Sequence, residues 1–207
     1  MSRNRQRIPN ITPAEWTDKL LDIFEFMEGP EARVKGPKYN AVKALVHAPE
    51  VSLASMRFHK ALTQSQGLAP RLKELVILRV LWLNRAEYQW SQHLLISSRY
   101  GFGSGDYTAI KTGTVSPEWS ELEALAIEAV DQLEKLGNID DALWSGLIQH
   151  LNHGQILELL YLVGGFKMVA WIFNAIRLDL DPGMQGFSDE DWNLLGRLQP
   201  GNEKRDA

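Results

Sequence analysis

The stretch RAEYQWSQH, residues 85–93, gathers a carboxylate (Glu87), a phenol (Tyr88), an indole (Trp90) and an imidazole (His93). Imidazole is the side chain that exchanges a proton near neutral pH. A carboxylate beside it orients the ring or acts as a second base, and a phenol donates a hydrogen bond to a developing oxyanion. These types together suit acid–base chemistry on a small molecule without a cofactor. On a helix, Ala86, Gln89, Trp90 and His93 share one face, and Glu87 lies about a third of a turn from His93. Glu74 belongs to the preceding helical run, on a largely apolar surface where a carboxylate needs a reason to be.

The same residues also have an ordinary structural reading. Asn84-Arg85-Ala86-Glu87 fits a capping box, with Asn84 as N-cap and Glu87 returning to its amide. Glu74 has Arg71 and Lys73 close by in sequence as ion-pair partners, and His93 and Trp90 can be plain core residues. Other constellations carry less. GFGSG at 101–105 has no strand before it and no Lys-Ser/Thr after it, so a helix end and turn explain it better than phosphate binding. His150 and His153 lie at a helix boundary without a recognisable ligand set, and no metal site is expected. His47 and His59 receive no role.

The elements that must position these groups read as helices throughout. TPAE at 12–15 places Thr12 as N-cap and Glu15 in a capping box, and Gly29-Pro30 ends the run that follows. Pro49 and Pro70 open two further helices, and Gly101 closes the one that holds His93. Ser120 to Glu123 is a capping box, with the stop at Gly137. No segment alternates long enough to demand a strand. The expectation is an all-α fold of about eight or nine helices. Residues 1–36 form an N-terminal arm and first helix, 37–180 the main helical domain, and 181–207 a polar C-terminal tail.

The chain has 207 residues, 44% apolar and 23% charged, with net charge −4, which suits a globular protein without the basic surface of a nucleic-acid binder. There is no cysteine, which excludes disulfides, thiolate ligands and thiol nucleophiles from the chain itself. Residues 156–176 are almost continuously apolar, but Glu158, Lys167 and Asn174 interrupt them. A helix buried in the core or covered by a second subunit is expected there, not a membrane span. MSRNRQR at the start reads as a short tail rather than a targeting peptide, and the cytoplasm is the default location.

RLKELVILRVLWLNRAEYQWSQHLLISSRYG resembles the signature region of the carboxymuconolactone decarboxylase / AhpD-like superfamily, most strongly over about residues 50–115. In the peroxidase branch a glutamate precedes a Cys-x-x-Cys pair, and a histidine follows the second cysteine by four. Glu74 and His93 match the glutamate and histidine, whereas Ala86 and Gln89 stand at the cysteine positions. The cysteine-free members carry EYxWxxH here, matched by Glu87, Tyr88, Trp90 and His93. The resemblance implies an AhpD-like helical domain without redox activity that assembles as a homo-oligomer, trimer or hexamer. It further implies a decarboxylase-like acid–base enzyme without cofactor, acting on a small carboxylated lactone or related ring-derived acid of aromatic catabolism. In that reading His93, Glu74 and Glu87 are the catalytic candidates, and Tyr88, Trp90 and Gln89 line the substrate. The alternative is a non-catalytic or hydrolytic AhpD-like protein holding a small hydrophobic ligand. Thiol peroxidase activity is excluded for a chain without thiols.

Overall fold

The computed structural model describes residues 6–197, and among these every regular element is helical. In chain order they are α1 (Asp18–Glu28), α2 (Pro30–Lys35), α3 (Asn40–Leu45), α4 (Pro49–Gln64), α5 (Pro70–Leu83) and α6 (Glu87–Ser97). Then come α7 (Ser104–Thr112), α8 (Glu121–Leu136), α9 (Asp141–His150), α10 (His153–Ile176) and α11 (Asp189–Arg197). The eleven helices exceed the eight or nine expected because α2, α3 and α11 are short, and the Gly29-Pro30 break separates α1 from α2 by a single residue. The Thr12–Glu15 box closes only a 3-10 turn, and α1 is capped instead by Thr17, whose hydroxyl accepts from Leu20 N–H.

Helix α5 is the axis of the molecule. It is apolar on all sides, and such a helix belongs in the interior. Every residue from Leu72 to Trp82 is buried, and α6, α7, α8 and α10 pack around it. Three of these buried residues are charged, which is tolerated only where each has a partner. Lys73 Nζ caps the end of α4 through the carbonyls of Leu62 and Ser65 and the Ser65 hydroxyl. Arg79 forks onto both carboxylate oxygens of Asp131, at 2.7 and 2.9 Å, and donates to Ile110 C=O. Glu74 is the third.

A smaller apolar cluster (Ile23, Phe24, Val42 and Met56) joins α1, α3 and α4. Helix α10 is long and apolar enough to cross a membrane by length and composition, but half of that window is buried in this chain. Its outer face leaves Leu157, Tyr161 and Trp171 exposed. Beyond α10 the chain turns at Arg177, in the left-handed region at φ 53°, and runs back over α6. The segment from 181 is not all solvated: Asp181 is buried, and Phe187 and Leu195 enter the main core. Residues 198–207 of the expected tail lie outside the described residues.

Candidate functional site

The elbow between α5 and α6 decides where the RAEYQWSQH side chains go. Asn84 ends α5, and its amide is committed to Val80 C=O and to Glu134 Oε1. Arg85 adopts φ 54°, and Ala86 N–H still bonds back to Leu81 C=O at 2.9 Å. Helix α6 therefore begins at Glu87, not after Asn84, and the expected Asn84–Glu87 capping box does not form. Glu87 still sits in the first turn, where the helix dipole favours a carboxylate. Its Oε1 accepts from Phe187 N–H at 2.9 Å, which ties the returning C-terminal segment to the start of α6.

The helix then offers its faces to different surroundings. His93 points at α5, where its Nδ1–H donates to Glu74 Oε2 at 2.8 Å. A carboxylate cannot donate, so this bond fixes the tautomer and leaves a lone pair on Nε2. Both side chains are buried, and Phe166 of α10 meets the imidazole edge-on with centroids 5.2 Å apart. Neither Arg71 nor Lys73 pairs with Glu74: Arg71 serves Asp106 and Glu123, and Lys73 serves the end of α4. Among the described residues His93 Nε2 has no hydrogen-bond partner, so the dyad keeps one basic nitrogen uncommitted. Glu74 also lines a cavity of about 170 Å³ between the end of α4 and Tyr100, beside Lys73 and Ile77.

Gln89, one turn before His93, shares its face of α6 and is buried. Its Oε1 is fully enclosed with no partner among the described residues. Trp90 turns away into the main core, against Trp82 and Phe187 at centroid distances of 5.4 and 5.7 Å. Tyr88 turns to a third side. Its hydroxyl donates to Asp181 Oδ2 at 2.6 Å, and its ring packs on Phe173. Burial, reinforced by the Asp181 carboxylate, pushes the Tyr88 phenol well above its ordinary range. With its proton engaged by Asp181, Tyr88 is not placed as an oxyanion donor to the dyad.

Six sequence candidates thus divide into three places, Trp90 being in the main core. Glu74 and His93 meet, with Gln89 on the same face, whereas Glu87 and Tyr88 line a second cavity of about 530 Å³ with Phe173, Arg177, Leu178 and Trp192. Sequence reasoning missed Asp181, which accepts from Asn40 N–H, Tyr88 and Gln92 and so clamps three segments together. No local pattern marks it, since Tyr88 lies 93 residues away. It also missed Phe166, which looked like any other apolar residue of α10.

The fold and site define an all-helical protein with a buried carboxylate–imidazole dyad and no thiol. Residues 49–132 match the model of the carboxymuconolactone decarboxylase family, and the chain holds no cysteine. Among solved structures it is similar to an alkylhydroperoxidase AhpD-core, peroxidase-related protein from Ralstonia eutropha. That match has TM-score 0.70 and 17% identity over 94% of this chain and 97% of the other. It is also similar to the debrominase Bmp8, with TM-score 0.68 and 12% identity over 94% and 99% of the two chains. An AhpD-type protein from Agrobacterium tumefaciens matches at TM-score 0.58 and 22% identity, over 65% of this chain and 94% of that one. At these identities the likeness establishes a shared AhpD-like fold. No curated protein sequence matches the chain.

Proposed function

We propose that this protein is a cofactor-independent acid–base enzyme of the carboxymuconolactone decarboxylase kind, acting on a small carboxylated lactone or related ring-derived acid. The observation that carries the reading is the buried Glu74–His93 dyad, with Nδ1 held at 2.8 Å and Nε2 uncommitted. His93 Nε2 takes a proton from carbon next to the substrate carbonyl, and the C–H electron pair moves onto the carbonyl oxygen as an enolate. Where the substrate instead loses CO₂, the C–C electron pair makes the same enolate, and carbon takes its proton from a His93 that enters this branch as the imidazolium and is reprotonated from water. Glu74 holds the ring in register and stabilises the imidazolium, as a carboxylate does in other carboxylate–imidazole pairs. Glu87 and Tyr88 hold the C-terminal segment in place, outside this step.

A panel of carboxylated lactones tests the reading, followed by CO₂ release and by loss of C–H signals in D₂O. His93→Ala is expected to abolish turnover with helical content unchanged, and full activity in that variant refutes the assignment. One observation favours a second reading, binding of a small hydrophobic ligand. The 530 Å³ cavity beside Tyr88, Phe173 and Leu178 falls in the size range of small-molecule sites.

A further inference from the structure

One buried polar group is used neither by the fold nor by the dyad. The Gln89 carboxamide makes no hydrogen bond to any described residue, although the side chain is buried. Its oxygen is sealed, whereas its nitrogen is not among the fully enclosed, unpartnered atoms. A buried amide left without partners costs about 1–3 kcal/mol, so such a group persists where something else needs it. The cost here is avoidable, because a methionine or leucine has similar bulk and needs no partner. Gln89 stands one helical turn from His93 on the same face, with Cβ atoms about 5–6 Å apart by helix geometry. His93 Nε2 is the other uncommitted polar group of that face. One is a base and the other an N–H donor, the two groups that enolisation calls for at a C–H and at the oxygen of the adjoining carbonyl.

We propose that Gln89 is a catalytic residue whose amide N–H binds the acyl oxygen of the substrate, the oxygen that becomes negative as His93 removes the proton. This inference rests on the acid–base reading of the dyad and sharpens it. The substrate class becomes one whose carbonyl or carboxylate oxygen is bound to the enzyme by a neutral donor. Proton balance is complete: the proton moves from carbon to Nε2, the electron pair to oxygen, and the Gln89 N–H stays on nitrogen throughout. The position that resembles a redox cysteine site in thiol-bearing relatives is, in this chain, an oxyanion donor.

The test uses the full chain and paraconate, a stable five-membered lactone with a carboxylate, and follows exchange of its acidic C–H in D₂O by proton NMR. Wild type is expected to exchange above the buffer rate and His93→Ala not to. Gln89→Met is expected to lose about 10²-fold in kcat/KM, the usual effect of removing one oxyanion donor. Its melting temperature should be unchanged or higher, because the substitution removes an unpartnered amide. A purely structural glutamine moves the two readouts together, downward. Exchange lost in His93→Ala but retained in Gln89→Met overturns the role of Gln89 and leaves the dyad standing. Exchange surviving in His93→Ala, or missing in wild type, overturns the dyad and this proposal with it. A fall in both melting temperature and rate for Gln89→Met also overturns the proposal.

Discussion

A double-mutant cycle on Glu74 and His93 asks whether the dyad is held for stability or for chemistry. Glu74→Leu leaves the imidazole Nδ1–H buried beside Phe166 without its acceptor, at a cost of about 1–3 kcal/mol. His93→Leu leaves a carboxylate without its partner on the most buried helix of the protein. Stranding a buried charge costs about 3–5 kcal/mol, and the cavity beside Glu74 brings this down to about 2–3 kcal/mol. The double leucine variant strands nothing and adds apolar contact with Phe166 and Ile77, so its stability should be close to wild type. The cycle therefore predicts a coupling of at least about 2 kcal/mol, with the double variant more stable than either single one. Urea denaturation followed by circular dichroism and tryptophan fluorescence measures all four chains. All three variants should be inactive, which separates stability from function. Single effects that add within about 0.5 kcal/mol mean that the side chains do not interact in solution, and the reasoning fails.

Four further predictions concern the surroundings. Burial pushes the Asp106 carboxyl up, but Gly103 N–H, Arg71 and Trp119 outweigh it and hold it below its usual 3.8. Its contribution is complete above about pH 4 and is lost as pH falls further, so Asp106→Asn should cost about 3 kcal/mol at neutral pH and flatten the acid limb of stability. Tyr88 has the opposite sign: its phenol is raised, so its contribution is present below the ordinary value of 10.0 and lost in alkali. In an ultraviolet titration, the phenolate signal that accompanies alkaline unfolding should diminish in Tyr88→Phe. Gly165→Ala puts a Cβ 2.8 Å from Leu62 Cδ1 and 2.9 Å from Phe58 Cε1, and should cost about 1–3 kcal/mol in thermal denaturation. Gly164→Ala meets nothing within 4 Å and should be stabilising by about 0.5–1 kcal/mol.

Much of the helical plan was legible because its signals are local. Ser120 with Glu123 and Gly137 cap α8 by bonds within a few residues, whereas Gly101, in the left-handed region, ends a 3-10 turn at 98–100 that follows the helix holding His93. Thr12–Glu15 shows the limit: the box forms, but whether a helix follows depends on Thr17, two residues past Glu15. The Asn84–Glu87 box fails because Asn84 finds Glu134 and Trp171, partners 50 and 87 residues distant.

The absence of cysteine and the all-helical class were determined by the sequence itself, and the resemblance marked Glu74 and His93 as candidates without showing that they meet. Composition excludes thiol chemistry outright, and hydrophobic periodicity sets the secondary structure. Only the tertiary structure decided how the RAEYQWSQH side chains are divided. Neighbouring residues on a helix point about 100° apart, so each meets whatever element the fold brings to its face. His93 meets Glu74 across the α5–α6 elbow, Trp90 meets Trp82, and Tyr88 meets Asp181 on the irregular segment that returns after α10. Gln89 meets no polar partner among the described residues, which only the packing around α6 could show.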